Sequence, residues 1–150
     1  VAFTVFLSYS HKDKAFLAEL RSHLVNLRKQ GLISDWYDGD IVPGTEWRPL
    51  IMRHVNTDQI ILLLISSDFM ASDFCYSIEM DRALARHNAG EARVIPIVLR
   101  PTDYEGAAFA ELLMLPTEGK AINTWSNRDE AWTNVVQGIR SSIRDLQGRT

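Results

Sequence analysis

The sequence predicts a flavodoxin-like three-layer α/β sandwich: a five-stranded parallel sheet in the order 2-1-3-4-5, covered by helices on both faces. Three observations lead there. The strongest apolar runs are continuous rather than alternating, as strands buried on both faces require. Strand and helix signals alternate five times along the chain. The 150 residues suit one domain with a single interior and leave no room for a second.

The first strand is "TVFLS", Thr4 to Ser8. Leu17, Leu20, Leu24 and Leu27 then recur at helical spacing, and Gly31 supplies the stop. "ISDWYD", Ile33 to Asp38, reads as a weaker second strand. "RPLIMRHV" is a short helix with Pro49 in its first turn, where a missing N–H costs nothing. The third strand, "IILLLIS" from Ile60 to Ser66, leads through a loop into a helix expected over Cys75 to Ala85. "VIPIVL", Val94 to Leu99, is the fourth strand; Pro96 cannot donate to a ladder, so a bulge is expected there. A long connection from Thr102 to Glu118 holds at most one short helix, "AAFAELL". "KAINTW", Lys120 to Trp125, is a weak fifth strand. The last helix carries Trp132, Val135, Val136, Ile139, Ile143 and Leu146 inward, after a capping-box-like "SNRD".

Composition narrows the function. Hydrophobic residues make up 46% and charged residues 23%, and the net charge of −3 comes without any basic run. A nucleic-acid grip needs a clustered positive face, so no nucleic-acid partner is expected. No apolar run approaches the roughly 20 residues of a membrane span, so no membrane role is expected either. One cysteine, Cys75, excludes an internal disulfide framework and suits a reducing cytoplasm. The chain opens on Val1, and helical patterning fades before "QGRT". We expect a domain over residues 1–147 and a tail over 148–150, cut from a longer protein whose targeting signals would lie elsewhere.

In a 2-1-3-4-5 sheet, ligands bind at the carboxyl ends of strands 1 and 3. Three segments converge there: "SYSHKD" (Ser8 to Asp13), "DGDIVPGTEW" (Asp38 to Trp47) and the stretch after the third strand, with Cys75 and Glu79 one helical turn apart. Tyr9, Ser10, His11, Asp38, Trp47 and Cys75 are therefore expected around Glu79. Neither a P-loop nor a dinucleotide-binding glycine fingerprint is present. A phosphoacceptor domain of this fold would carry an acidic pair where this chain has "SYSH". Asp35, Asp38 and Asp40 read as turn and strand-end residues rather than metal ligands, and the four histidines share no ligand spacing; His23 and His54 read as helix-surface residues. Cys75 reads as pocket lining, not as a nucleophile. Trp47 is either a staple for the following helix or a surface on which a flat ring stacks.

Four blocks in register, "FLSYSHKD", "GLISDWYDGDIVPGTEW", "SSDFMASDFCYSIEMDRAL" and "RVIPIVLRP", together resemble a bacterial TIR (Toll/interleukin-1 receptor type) domain over nearly the whole chain. That family is divided between NAD-cleaving enzymes and non-enzymatic signalling adaptors. The resemblance implies that Glu79 is the catalytic glutamate, with Cys75 standing where many members have tryptophan. It implies that Tyr9, Ser10 and His11 line the nucleotide pocket. It further implies that the loop from Gly39 to Trp47, with Ile41, Val42, Pro43 and Gly44, reaches a neighbouring TIR domain. The implied function is an NAD+ hydrolase or cyclase that releases nicotinamide, using NAD+ as substrate and no other cofactor. Its implied setting is bacterial anti-phage defence or signalling, where a sensor domain outside this segment switches it on by assembly. A non-catalytic TIR–TIR adaptor and a host-directed effector are the alternatives.

Overall fold

A computed structural model describes residues 2–37, 39 and 46–148 of the protein. Of the residues singled out above, Asp38, Asp40, Ile41, Val42, Pro43 and Gly44 lie outside the described residues.

Four strands form one sheet, all parallel, in the order β2-β1-β3-β4: β1 (Phe3–Ser8), β2 (Ile33–Trp36), β3 (Ile60–Ile65) and β4 (Arg93–Val98). This is the flavodoxin-like order read from the apolar runs. Successive side chains leave opposite faces of a strand, so each continuous run feeds two cores. Val5, Leu7, Leu62, Leu64, Ile95 and Ile97 face α1 (Lys14–His23), α2 (Val25–Lys29) and α6 (Arg128–Gln147). Phe6, Ile61, Leu63, Ile65, Val94 and Val98 face α3 (Trp47–Thr57), α4 (Ser67–Met70) and α5 (Ile78–Asn88).

Several expectations change in detail. The leucine stripe Leu17, Leu20, Leu24 and Leu27 is buried as expected, but a turn at Leu24 splits its helix into α1 and α2; Gly31 follows in the left-handed region at φ 72°. The expected helix from Cys75 is two elements: a 3-10 turn over Phe74–Tyr76, then α5 from Ile78. Ser77 is extended and its side chain accepts from the Met80 N–H, so a serine cap restarts the chain and takes Cys75 off the Glu79 helix. The last helix is capped by Asn127, which accepts from the Glu130 N–H, rather than by Ser126. His54 is not a surface residue: it is half-buried, stacked on Trp36 at 3.9 Å, with Nδ1 2.9 Å from Asp58 Oδ2.

Pro96 needs no bulge. It pairs in register with Leu63, and its neighbours Ile95 and Ile97 sit in the same unbroken ladder. Alternate residues of a parallel strand bond to opposite sides, and Pro96 takes the outward side, where its carbonyl accepts from the Leu115 N–H at 2.9 Å. The missing N–H therefore points away from β3. The fifth strand is also absent among the described residues. Leu115 already bridges the outer side of β4, donating to Pro96 and accepting from the Val98 N–H at 2.8 Å. The segment expected to pair there instead forms a 3-10 turn over Ile122–Thr124. It touches the sheet through the Asn123 N–H donating to the Leu99 carbonyl, and buries Ala121 and Ile122.

The outer edge of β4 has one further guard. The Val94 N–H donates to Nδ1 of His87 at 3.0 Å, which requires the neutral ring. Burial, and secondarily the Arg93 charge, pushes the His87 imidazole below its ordinary value. A histidine so depressed contributes stability in full above the unfolded-state value of about 6.5 and loses it as pH falls through the folded-state value. Melting temperature should therefore fall more steeply between pH 7 and pH 5 in the wild type than in His87→Asn, which keeps an acceptor but cannot titrate. Parallel curves for the two proteins would show that His87 does not carry this dependence.

Candidate functional site

The segments that follow three of the strands are tied together at the carboxyl edge of the sheet. Just past β1, Ser10 caps a 3-10 turn over His11–Asp13 by accepting from the Lys12 N–H at 3.3 Å. That turn carries the buried Asp13 inward. Just past β3, Ser66 accepts from the Phe69 N–H at 3.0 Å, capping α4, and donates its hydroxyl to Asp13. Just past β4, Arg100 donates to Asp13 Oδ1 at 3.1 Å and to Asp68 Oδ2 at 2.7 Å. A buried carboxylate is costly unless its lone pairs are filled, and here they are filled from the other two strand ends.

Glu79 is the second residue of α5, behind the Ser77 cap. Its side chain is 5% exposed. A carboxylate is favoured at a helix N-terminus, where unpaired N–H groups leave partial positive charge. Its charged partner among the described residues is Arg48, in the first turn of α3: Nε lies 3.1 Å from Oε1 and Nη2 donates to Oε2 at 3.4 Å. The two helices are also joined further along. Arg82 Nε donates to Asn56 Oδ1 at 2.7 Å, and the buried Arg86 donates to the Val55 and Asp58 carbonyls, both at 2.7 Å. Those anchors set the helix pair so that the starts of α3 and α5 meet at Arg48 and Glu79.

The other expected residues divide. Cys75 is buried, its Sγ 3.9 Å from Met70 Sδ, and burial raises its thiol above the usual range. It packs in the core on the α3 and α5 face, and a thiol so raised is a poor nucleophile. Its neighbour Phe74 joins Phe6, Leu7, Ser8, Tyr9 and Ile51 around a cavity of about 90 Å³. That cavity brings the end of β1, the second turn of α3 and the Cys75 segment to one place. Tyr9 also lines a larger cavity of about 480 Å³ with Lys14, Arg21 and Tyr37, on the α1 side of the sheet. His11 is exposed, its ring centre 5.6 Å from that of Tyr9. Trp47 is 54% exposed, which is unlike a residue pinned under a helix. Asp35 is held by Arg21 at 3.1 Å and Arg28 at 3.2 Å, an ion-pair role. Among the described residues, no group of three His, Cys, Asp or Glu could hold a metal ion.

Arg48 was not singled out from sequence. It stands beside Trp47 in "WRPL", an ordinary helix start, and only the packing of α3 on α5 reveals its partner.

A family model for the TIR domain matches residues 5–136. An uncharacterised protein of Sinorhizobium fredii, y4lF, is 47% identical over 139 residues. The match takes in 93% of this chain and 43% of that protein, so the chain spans less than half the length of this relative. Among solved structures, the TIR domain of the Toll-related receptor TRR-2 from Hydra magnipapillata has a TM-score of 0.58 at 19% identity, covering 91% of this chain and 97% of that one. The TIR domains of the activated Roq1 resistosome, which recognises the pathogen effector XopQ, have a TM-score of 0.50 at 21% identity, covering 64% and 57%. At such identities the two structures speak for the fold alone. No helix among the described residues is long and apolar enough to cross a membrane.

Proposed function

The chain belongs to the TIR-domain family, and on that premise we propose that it splits NAD+ between nicotinamide and ribose, with Glu79 as the catalytic carboxylate. The observation that carries this reading is the burial of Glu79 on the first turn of α5, at the sheet edge where ligands of this fold bind. A carboxylate kept from water there has a use that a surface glutamate lacks.

Breaking the bond leaves an oxocarbenium-like sugar, as in glycoside hydrolysis. Nicotinamide departs from a cationic ring, so the leaving group needs no acid. What remains for the protein is to hold the ribose and stabilise positive charge as it grows at the sugar carbon. One preorganised carboxylate in a water-poor site does both. In this reading Trp47, which is exposed, and Tyr9, which lines the cavity at the end of β1, stack on the flat parts of the dinucleotide. Water or an internal nucleophile of the substrate then takes the sugar carbon, giving linear or cyclic ADP-ribose. Incubation of concentrated protein with NAD+, followed for free nicotinamide, tests the reading. Intact NAD+ after prolonged incubation, at concentrations where the protein self-associates, would favour the adaptor alternative.

Assembly belongs to the same proposal. Trp47 is 54% and Ile78 68% exposed, and they adjoin Arg48 and Glu79 in sequence, so each member of the ion pair has an exposed apolar neighbour. Such surface is costly unless it finds a partner. We expect a second TIR domain to cover it, under the control of a sensor domain elsewhere in a longer protein. Specific activity should then rise with protein concentration, and Trp47→Ala should flatten the rise. A dilution series with constant specific activity would mean that one chain suffices.

A further inference from the structure

The Glu79 carboxylate already meets a cation. Arg48 approaches both of its oxygens, Nε 3.1 Å from Oε1 and Nη2 donating to Oε2 at 3.4 Å, so one guanidinium stands where a substrate's positive or hydroxyl groups would have to come. The two partners stand in different surroundings. The glutamate side chain is nearly dry, whereas that of Arg48 is 58% exposed. Separating them therefore costs the carboxylate much more than the guanidinium, because only the arginine can turn to water. Their anchoring differs in the same sense. Glu79 sits on a capped helix turn with Met80 and Ala83 of the same helix buried against the sheet, while Arg48 is a long flexible side chain at the exposed start of α3. If the pair opens, Arg48 is the member that moves, and the carboxylate it leaves calls for another positive or hydrogen-bonding group.

We infer that Arg48 is a built-in competitor of the substrate, a latch that holds Glu79 until the cationic nicotinamide riboside end of a dinucleotide displaces it. This rests on the NAD+ reading above and adds how the site is kept closed. The resting protein neutralises the carboxylate with a cation of its own; the substrate brings its own positive ring and ribose hydroxyls to the same two oxygens. Apparent affinity is reduced by the fraction of molecules in which the latch is shut. Weakening the latch should thus act on KM rather than on kcat.

The test uses the full chain and two variants, Arg48→Gln and Arg48→Lys, with two independent readouts. The first is Glu79 labelling by a water-soluble carbodiimide and glycine ethyl ester, without NAD+, read by mass spectrometry. The second is the KM for nicotinamide release. For Arg48→Gln, with an unchanged circular dichroism spectrum, both labelling and apparent affinity should rise about fivefold, as for a pair with one exposed member. Arg48→Lys keeps the charge but not the fork, and should rise about twofold in both. If the glutamine variant does not fold, the lysine variant decides by the same two readouts. Unchanged labelling overturns the latch. So does a higher KM, which would make Arg48 a substrate-binding group. Nicotinamide release from no protein, with labelling raised in the variants, overturns the NAD+ reading and the competition with it, leaving only a closed ion pair. Release by the wild type with unchanged labelling overturns the latch alone.

Discussion

Replacing Glu79 with glutamine is expected to lower NAD+ cleavage by about 10²–10³-fold, the usual loss when a preorganised electrostatic group is removed from a reacting centre. The substitution keeps the side chain's length, shape and an acceptor oxygen, so the near-complete burial at the start of α5 is preserved. It removes only the negative charge. The partner left behind is Arg48, which is more than half exposed and can return to water, so the heavy cost of an orphaned buried charge does not arise. Melting temperature should therefore move little while turnover collapses. Glu79→Asp retains the charge but withdraws it by one methylene, and should also fall if placement matters. Wild-type turnover in the glutamine variant would take Glu79 out of the mechanism.

The fold was legible where burial leaves little choice. The runs at Val5–Leu7, Ile60–Ile65 and Val94–Val98 are apolar at every position because each feeds two cores, and no amphipathic helix reads that way. The helix stripes were legible for the same reason. What failed were decisions made by competition between neighbours. Whether "KAINTW" pairs with β4 depends on Leu115, which reaches that edge first from a connection without strand character. Pro96 signalled trouble, but whether its absent N–H faced a partner or an open edge is a matter of register. The helix break at Ser77 was not read from the sequence, because the apolar Phe74 and Cys75 ahead of it extend the periodic pattern past the true start of α5.

The sheet edge at which the candidate residues lie was legible for a topological reason. Parallel strands send every following segment to the same edge, so Tyr9, Ser10, Trp47, Cys75 and Glu79 could be assigned to one end without coordinates. Side-chain pairing could not. Arg48 and Glu79 are 31 residues apart, and nothing in either local stretch marks them as partners. The Asp13, Ser66 and Arg100 tie was equally hidden, since each residue alone looks like an ordinary cap or loop residue.

Trp132→Ala is expected to destabilise the domain by about 3–5 kcal/mol, the range for deleting a large buried aromatic. Trp132 is fully buried in the layer formed by α1 and α6, on the sheet face away from α3 and α5. Two losses combine there. The ring leaves a void among Leu17, Leu20 and Val135, which the rigid sheet beneath cannot collapse to fill. Its Nε1–H also donates to Glu19 Oε1 at 2.8 Å, and Glu19 in turn receives Arg128 at 3.1 and 2.8 Å. The guanidinium still satisfies Glu19 without the indole, so the hydrogen bond is the smaller part and the void the larger. For a chain of this size, such a loss lowers the melting temperature by roughly 10 °C. Trp132→Phe, which keeps most of the volume and discards the N–H, separates the two contributions and should cost clearly less. The site lies in the opposite layer, where Arg86 and Arg82 hold α5 to α3 without help from α6. Molecules that remain folded at low temperature should therefore keep the Arg48–Glu79 geometry, and with it the activity proposed for Glu79. A large activity loss in folded Trp132→Ala would show that the two layers are mechanically coupled through the sheet, or that the α1 and α6 face takes part in assembly. A melting temperature unchanged by the alanine would contradict the packing described for this core.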